Sequence, residues 1–524
     1  MERVTKQCVP AAAVTCAFVV LCAISPPTTA VNVLAIEPLP ARSHWTFMRA
    51  VVRAMATGGR GHNVTVYTPF ASSSAATVGV CDGGPIGCGY VEIPLRLDVP
   101  DKVALDVRTA IADFADQWRF VGIAVDKSRT ACDRLDRMAA AGHFTADVRY
   151  DMVVVELVSS ECTSRVSSAL GDVPLVYVFP SPMASWMEAK ALGTSPSPSY
   201  AARLFARYAV PDTLARRLEN AYGWTVMAAL QLLHERDDDQ TDYRKPAVTF
   251  VNTDTTVEKS VPTVQNMIGV GGVHLPPLEP IPPDILKFIE ESPNGIIYFT
   301  FGTVVALSTM PDHIQNIFKD ALAEVPQRVL LKYEGEMKDK PKNVMTSKWL
   351  PQRDILKHPN VKLFIGHGGI SGVYEAVDAG VPILGFPLFY DQPRNMANLV
   401  DAGMALSFDL FSVTKNTLLS AINEIINNET YSKNAKIVSD RFKDRPMSPA
   451  DSVVYWTEYI IRHKGAPHLR SHALNLTWYQ YFLLDVVAVV LLIIVSVFYT
   501  ALKTLQMINK IIFKPSSKSK SKPD

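Results

Sequence analysis

Phe364-Ile365-Gly366-His367-Gly368-Gly369-Ile370-Ser371-Gly372-Val373-Tyr374-Glu375 reads as an apolar strand running into a glycine-rich turn that opens a helix. Gly366, Gly368 and Gly369 let the backbone approach a ligand closely, and the helix start presents unpaired N–H groups to an anion. Ser371 and Glu375 lie four residues apart and share a helix face. One can serve a phosphate while the other accepts hydrogen bonds from sugar hydroxyls. Helix dipole and imidazole both favour a diphosphate here. The spacing departs from the dinucleotide fingerprint, whose third glycine is replaced by Ser371, and Gly269-Val-Gly-Gly-Val-His274 departs in the same way.

Strands and helices alternate on either side of this turn. Ile296–Phe301 and Arg328–Lys332 read as strands around helix His313–Val325. Leu363–Ile365 and Pro382–Phe386 flank helix Ser371–Ala379, and Asn416–Ile426 and Tyr431–Phe442 read as helices. Nearer the N-terminus, Val31–Ile36, Asn63–Tyr67, Met152–Val155 and Leu175–Phe179 read as strands. Helix Thr46–Ala56 places Phe47, Val51 and Met55 on one face, and Gly58-Gly59 ends it. Such alternation implies parallel sheets covered on both faces. Leu214–Leu233 reads as a helix facing core, and the proline-rich run from Pro276 to Pro283 connects two α/β halves with a cleft between them. Parallel strands hold ligands at their carboxyl ends, which face such a cleft.

The chain has 524 residues, enough for two to three domains of roughly 100–200 residues. A net charge of +1 leaves no field to draw nucleic acid. Arg3 and Lys6 precede an apolar run from Val9 to Ile24, then Pro26-Pro27 and small residues through Ala30: the layout of a signal peptide over residues 1–30. A second apolar run, Phe482–Leu502, is long enough to span a bilayer, and residues 503–524 form a lysine-rich tail that belongs on the cytosolic side. Asp485 lies a turn inside the lumenal end. Lys520-Ser-Lys522-Pro-Asp524 resembles a retrieval signal of the endoplasmic reticulum membrane. Cys81, Cys88, Cys132 and Cys162 are too sparse for a zinc site, though Cys81 and Cys88 can pair in an oxidising lumen. Sequons start at Asn63, Asn428 and Asn475. Asp237-Asp238-Asp239 reads as a solvated charge run, and no catalytic metal is expected.

The central stretch resembles the donor-binding motif of the UDP-glycosyltransferase family, whose members conjugate small lipophilic molecules with sugars, often in detoxification. The resemblance extends to Ser43-His44-Trp45, Arg60-Gly-His62, Phe301-Gly-Thr303, Trp349-Leu-Pro-Gln352, Asp391-Gln392 and Tyr455-Trp-Thr-Glu458. It implies a GT-B fold: an N-terminal acceptor-binding domain over residues 31–260 and a UDP-sugar-binding domain over 261–442. Residues 443–480 would return toward the first domain and the membrane, and 481–502 would span it. It also implies that Trp349 stacks on uracil and Gln352 holds base or ribose. His367, Gly368, Gly369, Ser371 and Gly372 contact the diphosphate with Thr303 nearby. Glu375 accepts from ribose, and Asp391 and Gln392 hold the sugar.

His44 would be the general base, with a carboxylate orienting it. The family usually has Asp where this chain has Glu156; Asp151, at the other end of that strand, is the alternative. Val261 stands where an Arg commonly precedes Pro262, which favours glucose over glucuronic acid. The expected activity is inverting transfer of a hexose from a UDP-sugar to a hydroxyl of a lipophilic acceptor, with the UDP-sugar a co-substrate and no cofactor. The expected setting is the endoplasmic reticulum membrane, where membrane lipid surrounds the single span and a homo-oligomer can form. A non-catalytic sugar-nucleotide-binding protein and a lipid or glycoprotein biosynthetic transferase are the alternatives.

Overall fold

The structure, a computed structural model, describes residues 30–39, 41–71, 77–78, 89–95, 133–144, 148–156, 166, 169–171, 173–183, 188, 191–194, 196–234, 246–303 and 305–513. Residues 1–29, where a signal peptide is expected, Cys81, Cys88, Cys132, Cys162, Asp237–Asp239 and residues 514–524 lie outside them.

Residues up to Arg470 form one compact unit with two sheets. In the first half the strands are β1 (Asn32–Ile36), β2 (Asn63–Thr68), β3 (Thr77–Val78), β4 (Tyr90–Pro94), β5 (Met152–Glu156), β6 (Leu175–Phe179), β7 (Val248–Val251) and β8 (Met267–Gly269). Their order is β3-β4-β2-β1-β5-β6-β7-β8, parallel throughout except the β3–β4 pair. The first sheet therefore runs to Gly269, past the division at residue 260 read from the sequence. β8 is only three residues long, Met-Ile-Gly, too short to show a period.

The second half holds β9 (Ile296–Thr300), β10 (Arg328–Lys332), β11 (Val344–Ser347), β12 (Val361–Gly366), β13 (Ile383–Gly385) and β14 (Ala405–Ser407), in the order β11-β10-β9-β12-β13-β14. All five pairings are parallel. Strands such as β5, β6 and β9 are buried at every residue, which only helices on both faces allow.

The helices that matter below are α1 (Arg42–Thr57), α2 (Leu214–His234), α3 (Pro283–Glu290), α4 (Asp312–Glu324), α5 (Gln352–Leu356), α6 (Ile370–Ala379), α7 (Gln392–Asp401), α8 (Lys415–Asn427), α9 (Glu429–Lys443), α10 (Pro449–Arg462) and α11 (Leu484–Ile512). α1 buries Phe47, Met48, Val51, Val52 and Met55 against Val33, Ala35 and Val154 of the first sheet. α10 also packs on this first half: Val453 and Ile460 join the same cluster, and Glu458 pairs with His62 at 3.5 Å and Arg60 at 3.7 Å.

α2 differs from the expected core helix. Leu214, Leu218 and Tyr222 are exposed, so its first turns lie on the surface. Arg216 and Arg217 beside them explain why: an apolar row flanked by charge need not face inward.

Residues 471–524 form a separate unit. α11 has 29 residues with a mean hydropathy of 2.5 over its most apolar window, long and apolar enough to cross a membrane. It continues ten residues past Leu502, the end expected from the apolar run. Thr504, Gln506 and Asn509 break the apolar run without breaking the helix, because no glycine or proline stops the hydrogen-bond ladder.

Candidate active site

Carboxyl ends of parallel strands leave backbone groups and loops free to bind, and both sheets place the sequence-selected residues there. In the second sheet β12 ends at Gly366, residues 367–369 turn, and α6 begins at Ile370. Gly368 has φ of +78°, and a Cβ there would lie 2.6 Å from Met396 Cγ. Gly302, after β9, has φ of +80°, and its Cβ would lie 2.6 Å from the His367 ring. The imidazole is thus seated on bare backbone, which no larger residue permits.

Burial first, and Lys332 second, push His367 down to about 4. With no anion beside it among the described residues, burial therefore favours the neutral imidazole here. Its Nδ1 has no partner among the described residues. The cation here is Lys332, which the sequence reading missed: its Nζ donates to the Gly302 carbonyl at 2.6 Å and to Glu334 at 3.0 Å. Ser371 and Gly372 follow on the first turn of α6, and Thr303 is exposed beside Gly302.

A second group surrounds Glu375. Its carboxylate accepts a hydrogen bond from Gln352 Nε2, and Gln352 Oε1 accepts from the Tyr298 hydroxyl at 3.2 Å. Burial raises Glu375 to about 7 although the Gln352 bond opposes it. Trp349, just before α5, is 69% exposed, so its ring face is open to a planar ligand and is not core.

Asp391 and Gln392 are buried at the start of α7. Asn395 Nδ2 donates to Asp391 Oδ2 at 2.8 Å and to the Gly368 carbonyl at 2.9 Å, tying this corner to the glycine turn. Gln392 Oε1 is spent on the amides of Leu388 (2.9 Å) and Phe389 (3.2 Å), so Nε2 is the end of that amide with donors to offer. Tyr390 sits in the left-handed region at φ of 59°, a strain the short link from Phe389 to α7 imposes.

Across the cleft, α1 carries His44 in its first turn. His44 Nδ1 lies 2.6 Å from Glu156 Oε1, at the last residue of β5, with the histidine side chain 25% exposed and the glutamate fully buried. Burial alone would lower the His44 pKa, but Glu156 and, across the cleft, Asp391 outweigh it and raise it. Asp151, the alternative, starts the strand at its far end and binds the Asn32 amide at 3.0 Å.

The sequence reading also missed Glu37. It follows β1, is fully buried, and stands beside Glu156. Among the described residues no group of three or more His, Cys, Asp or Glu side chains has the geometry of a metal site.

Residues 32–519 match the family described as "UDP-glucoronosyl and UDP-glucosyl transferase". The chain is 34% identical over 493 residues to UDP-glucosyltransferase 2 of Dactylopius coccus, covering 88% of this chain and 90% of that one. To UDP-glucuronosyltransferase 2C1 of Oryctolagus cuniculus it is 29% identical over 509 residues, covering 88% and 95%. Among solved structures, LpCGTa in complex with UDP aligns at a TM-score of 0.54 and 16% identity over 83% of this chain and all (100%) of that one, a likeness of fold.

Proposed function

This chain belongs to the UDP-glucuronosyl and UDP-glucosyl transferase family, with a GT-B fold and a UDP-sugar as donor, and on that premise we propose that it transfers glucose, with inversion, to a hydroxyl of a small lipophilic acceptor, using His44 as general base. The observation that carries this reading is the 2.6 Å contact between His44 Nδ1 and the buried Glu156 carboxylate, with Asp391 within electrostatic reach on the opposite side.

Glu156 fixes the tautomer by accepting from Nδ1–H, which leaves Nε2 free to take a proton. The acceptor O–H bond breaks toward Nε2, and the oxygen attacks the anomeric carbon. The bond from that carbon to the phosphate oxygen breaks, and the electron pair leaves with UDP. A single displacement at the anomeric carbon inverts it.

On the donor side, Trp349 takes the uracil face and Gln352 reaches the base or ribose. Glu375 accepts from the ribose hydroxyls. His367, the amides of Gly368 and Gly369, Ser371 and Gly372 hold the diphosphate with Thr303, and Lys332 supplies positive charge. Asp391 accepts from sugar hydroxyls, while Gln392 donates through Nε2.

Glucose is favoured because a glucuronate carboxylate would need a cation, and among the described residues those near the donor are already engaged, Lys332 by the Gly302 carbonyl and Glu334. Val261 carries no charge. Arg394 is engaged by Glu258 at 3.3 Å and the Ala202 carbonyl at 3.3 Å. Assaying the purified protein with UDP-glucose, UDP-glucuronic acid and UDP-galactose against a panel of phenols tests the donor. Preference for UDP-glucuronic acid refutes the sugar assignment. For the base, His44→Ala is expected to lose turnover about a thousandfold while keeping UDP affinity, the size of a lost general base plus its positioning. Full activity in that variant refutes it.

We place the catalytic unit in the lumen of the endoplasmic reticulum with the tail in the cytosol. Protease treatment of sealed microsomes should trim the tail alone.

A further inference from the structure

Two glutamates end adjacent strands of the first sheet, and only one of them has a part in the reaction described above. β1 and β5 pair in parallel with Ile36 opposite Val155, so the next residues, Glu37 and Glu156, stand side by side. The Glu37 amide donates to the Tyr67 carbonyl at 2.9 Å, extending the strand pairing by one residue. Side chains alternate along a strand, so Glu37 follows Val33 and Ala35, and Glu156 follows Val154, onto the face covered by α1. That is the face on which His44 begins.

Both side chains are completely buried. Their four oxygens divide cleanly. Glu156 Oε1 is taken by His44 at 2.6 Å, and Glu37 Oε1 accepts the Leu39 amide at 3.2 Å. Glu37 Oε2 and Glu156 Oε2 have no partner among the described residues. Two buried carboxylate oxygens on neighbouring side chains, neither with a donor, would carry a large desolvation cost. One proton between them removes a charge and makes a strong hydrogen bond at once.

We propose that Glu37 is a positioning residue that acts through Glu156: its carboxyl group carries that proton and donates it as a hydrogen bond to Glu156 Oε2, so Glu156 remains an anion facing His44. The proton belongs on Glu37 because Glu156 has the imidazole to stabilise its charge, whereas Glu37 has one amide. Burial, then the charge of Glu156 and the hydrogen bond to it, hold Glu37 well above the usual carboxyl range. Among the described residues, the other ionisable groups around this trio are Asp391, which acts on His44, and Tyr390, which Glu156 also influences. Glu37 touches neither donor nor acceptor. Its proton stays in place while His44 Nε2 gains and loses one.

This inference rests on the reading of His44 as base, but one arm of its test, the infrared spectrum, does not. Glu37→Gln keeps the arrangement, since the amide NH2 donates to Glu156 and the amide oxygen accepts from Leu39. Glu37→Leu removes the donor and leaves Glu156 Oε2 buried without one, which loosens the carboxylate that steadies the imidazolium. Expected results are a kcat for Glu37→Gln within about twofold of wild type with the acid limb of its pH profile unmoved, and a kcat for Glu37→Leu about tenfold lower at unchanged KM for UDP-glucose. The infrared difference spectrum between wild type and Glu37→Gln at neutral pH should contain the carbonyl stretch of a protonated carboxylic acid. The same band is expected when both proteins also carry His44→Ala, so this readout stands whether or not His44 is the base. Absence of the band, a shift of the acid limb in Glu37→Gln, or a folded Glu37→Leu enzyme with wild-type kcat each overturns the proposal. Should Glu37→Leu fail to fold, the spectrum and the Glu37→Gln profile decide it.

Discussion

Replacing Glu156 by glutamine keeps its shape and removes its charge, which isolates what the anion does for His44. The imidazole becomes positively charged as it takes the acceptor proton, with the carboxylate oxygen 2.6 Å from Nδ1. With about 4 Å between the centres of charge, Coulomb's law at an effective dielectric of about 20 gives about 4 kcal/mol, an upper bound. The advantage of a charge-assisted over a neutral hydrogen bond, about 1 kcal/mol, is a lower bound. At about 1.4 kcal/mol per tenfold, kcat should fall between about fivefold and about a thousandfold.

The pH profile separates this effect from general damage. The base must be neutral to work, and Glu156 helps raise the His44 pKa above the ordinary value of 6.5. Wild-type activity should therefore fall off on the acid side from a pH above that value. In Glu156→Gln burial is no longer outweighed by this neighbour, so the acid limb should move to lower pH. The assay is UDP-glucose-dependent conjugation of a phenol under saturating donor, followed by UDP release across the pH range, with UDP affinity measured by calorimetry. A variant that turns over within threefold of wild type, with its acid limb in place, would refute the role of the anion.

Trp349→Ala should weaken UDP binding by about 1–3 kcal/mol, the worth of one base–aromatic stack, and leave thermal stability within about 0.5 kcal/mol because the ring is solvent-exposed; calorimetry and a melting curve check both. Glu375 titrates at about 7 in the folded state against an ordinary 4.5, so the folded chain binds more protons across that window and this group costs stability as pH rises through it. Glu375→Gln should therefore raise Tm above neutral pH, by the equivalent of about 1 kcal/mol, while weakening UDP binding. His274, buried between Phe47 of the first half and Tyr374 of the second, is pushed down to about 4 by burial first. There the unfolded chain binds more protons between about 4 and 6.5, so stability should rise by about 3 kcal/mol as pH climbs through that window. Denaturant titration at several pH values measures the slope, and His274→Leu should flatten it.

How far the sequence speaks depends on whether a residue's task leaves a local trace. The turn at residues 366–369 does, since glycines between an apolar strand and a helix have few other uses, and the structure has β12, turn and α6 there. Strands β5, β6 and β10 stand out because their apolar runs are continuous. β8 and β14, three residues each, leave no period to read. The contact of His44 with Glu156 joins residues 112 apart, and only the resemblance to a family brought them together. Glu37 was invisible because its position depends on the β1–β5 register, which no spacing encodes. Lys332 looked like the polar end of a strand, and its reach to Gly302 comes from β9 and β10 pairing side by side. The lowered pKa of His367 comes from burial against two glycines and from a cation two strands away.

The polypeptide passes between the two sheets twice. It leaves the first after Gly269 to enter α3, and it comes back after Lys443 so that α10 can pack on α1. The second crossing therefore ties the halves together again, with Val453 and Ile460 seated in the core around α1. Cutting the chain before Pro449 would remove one of the two crossings and leave the burial of Val453 and Ile460 alone to hold α10 on α1.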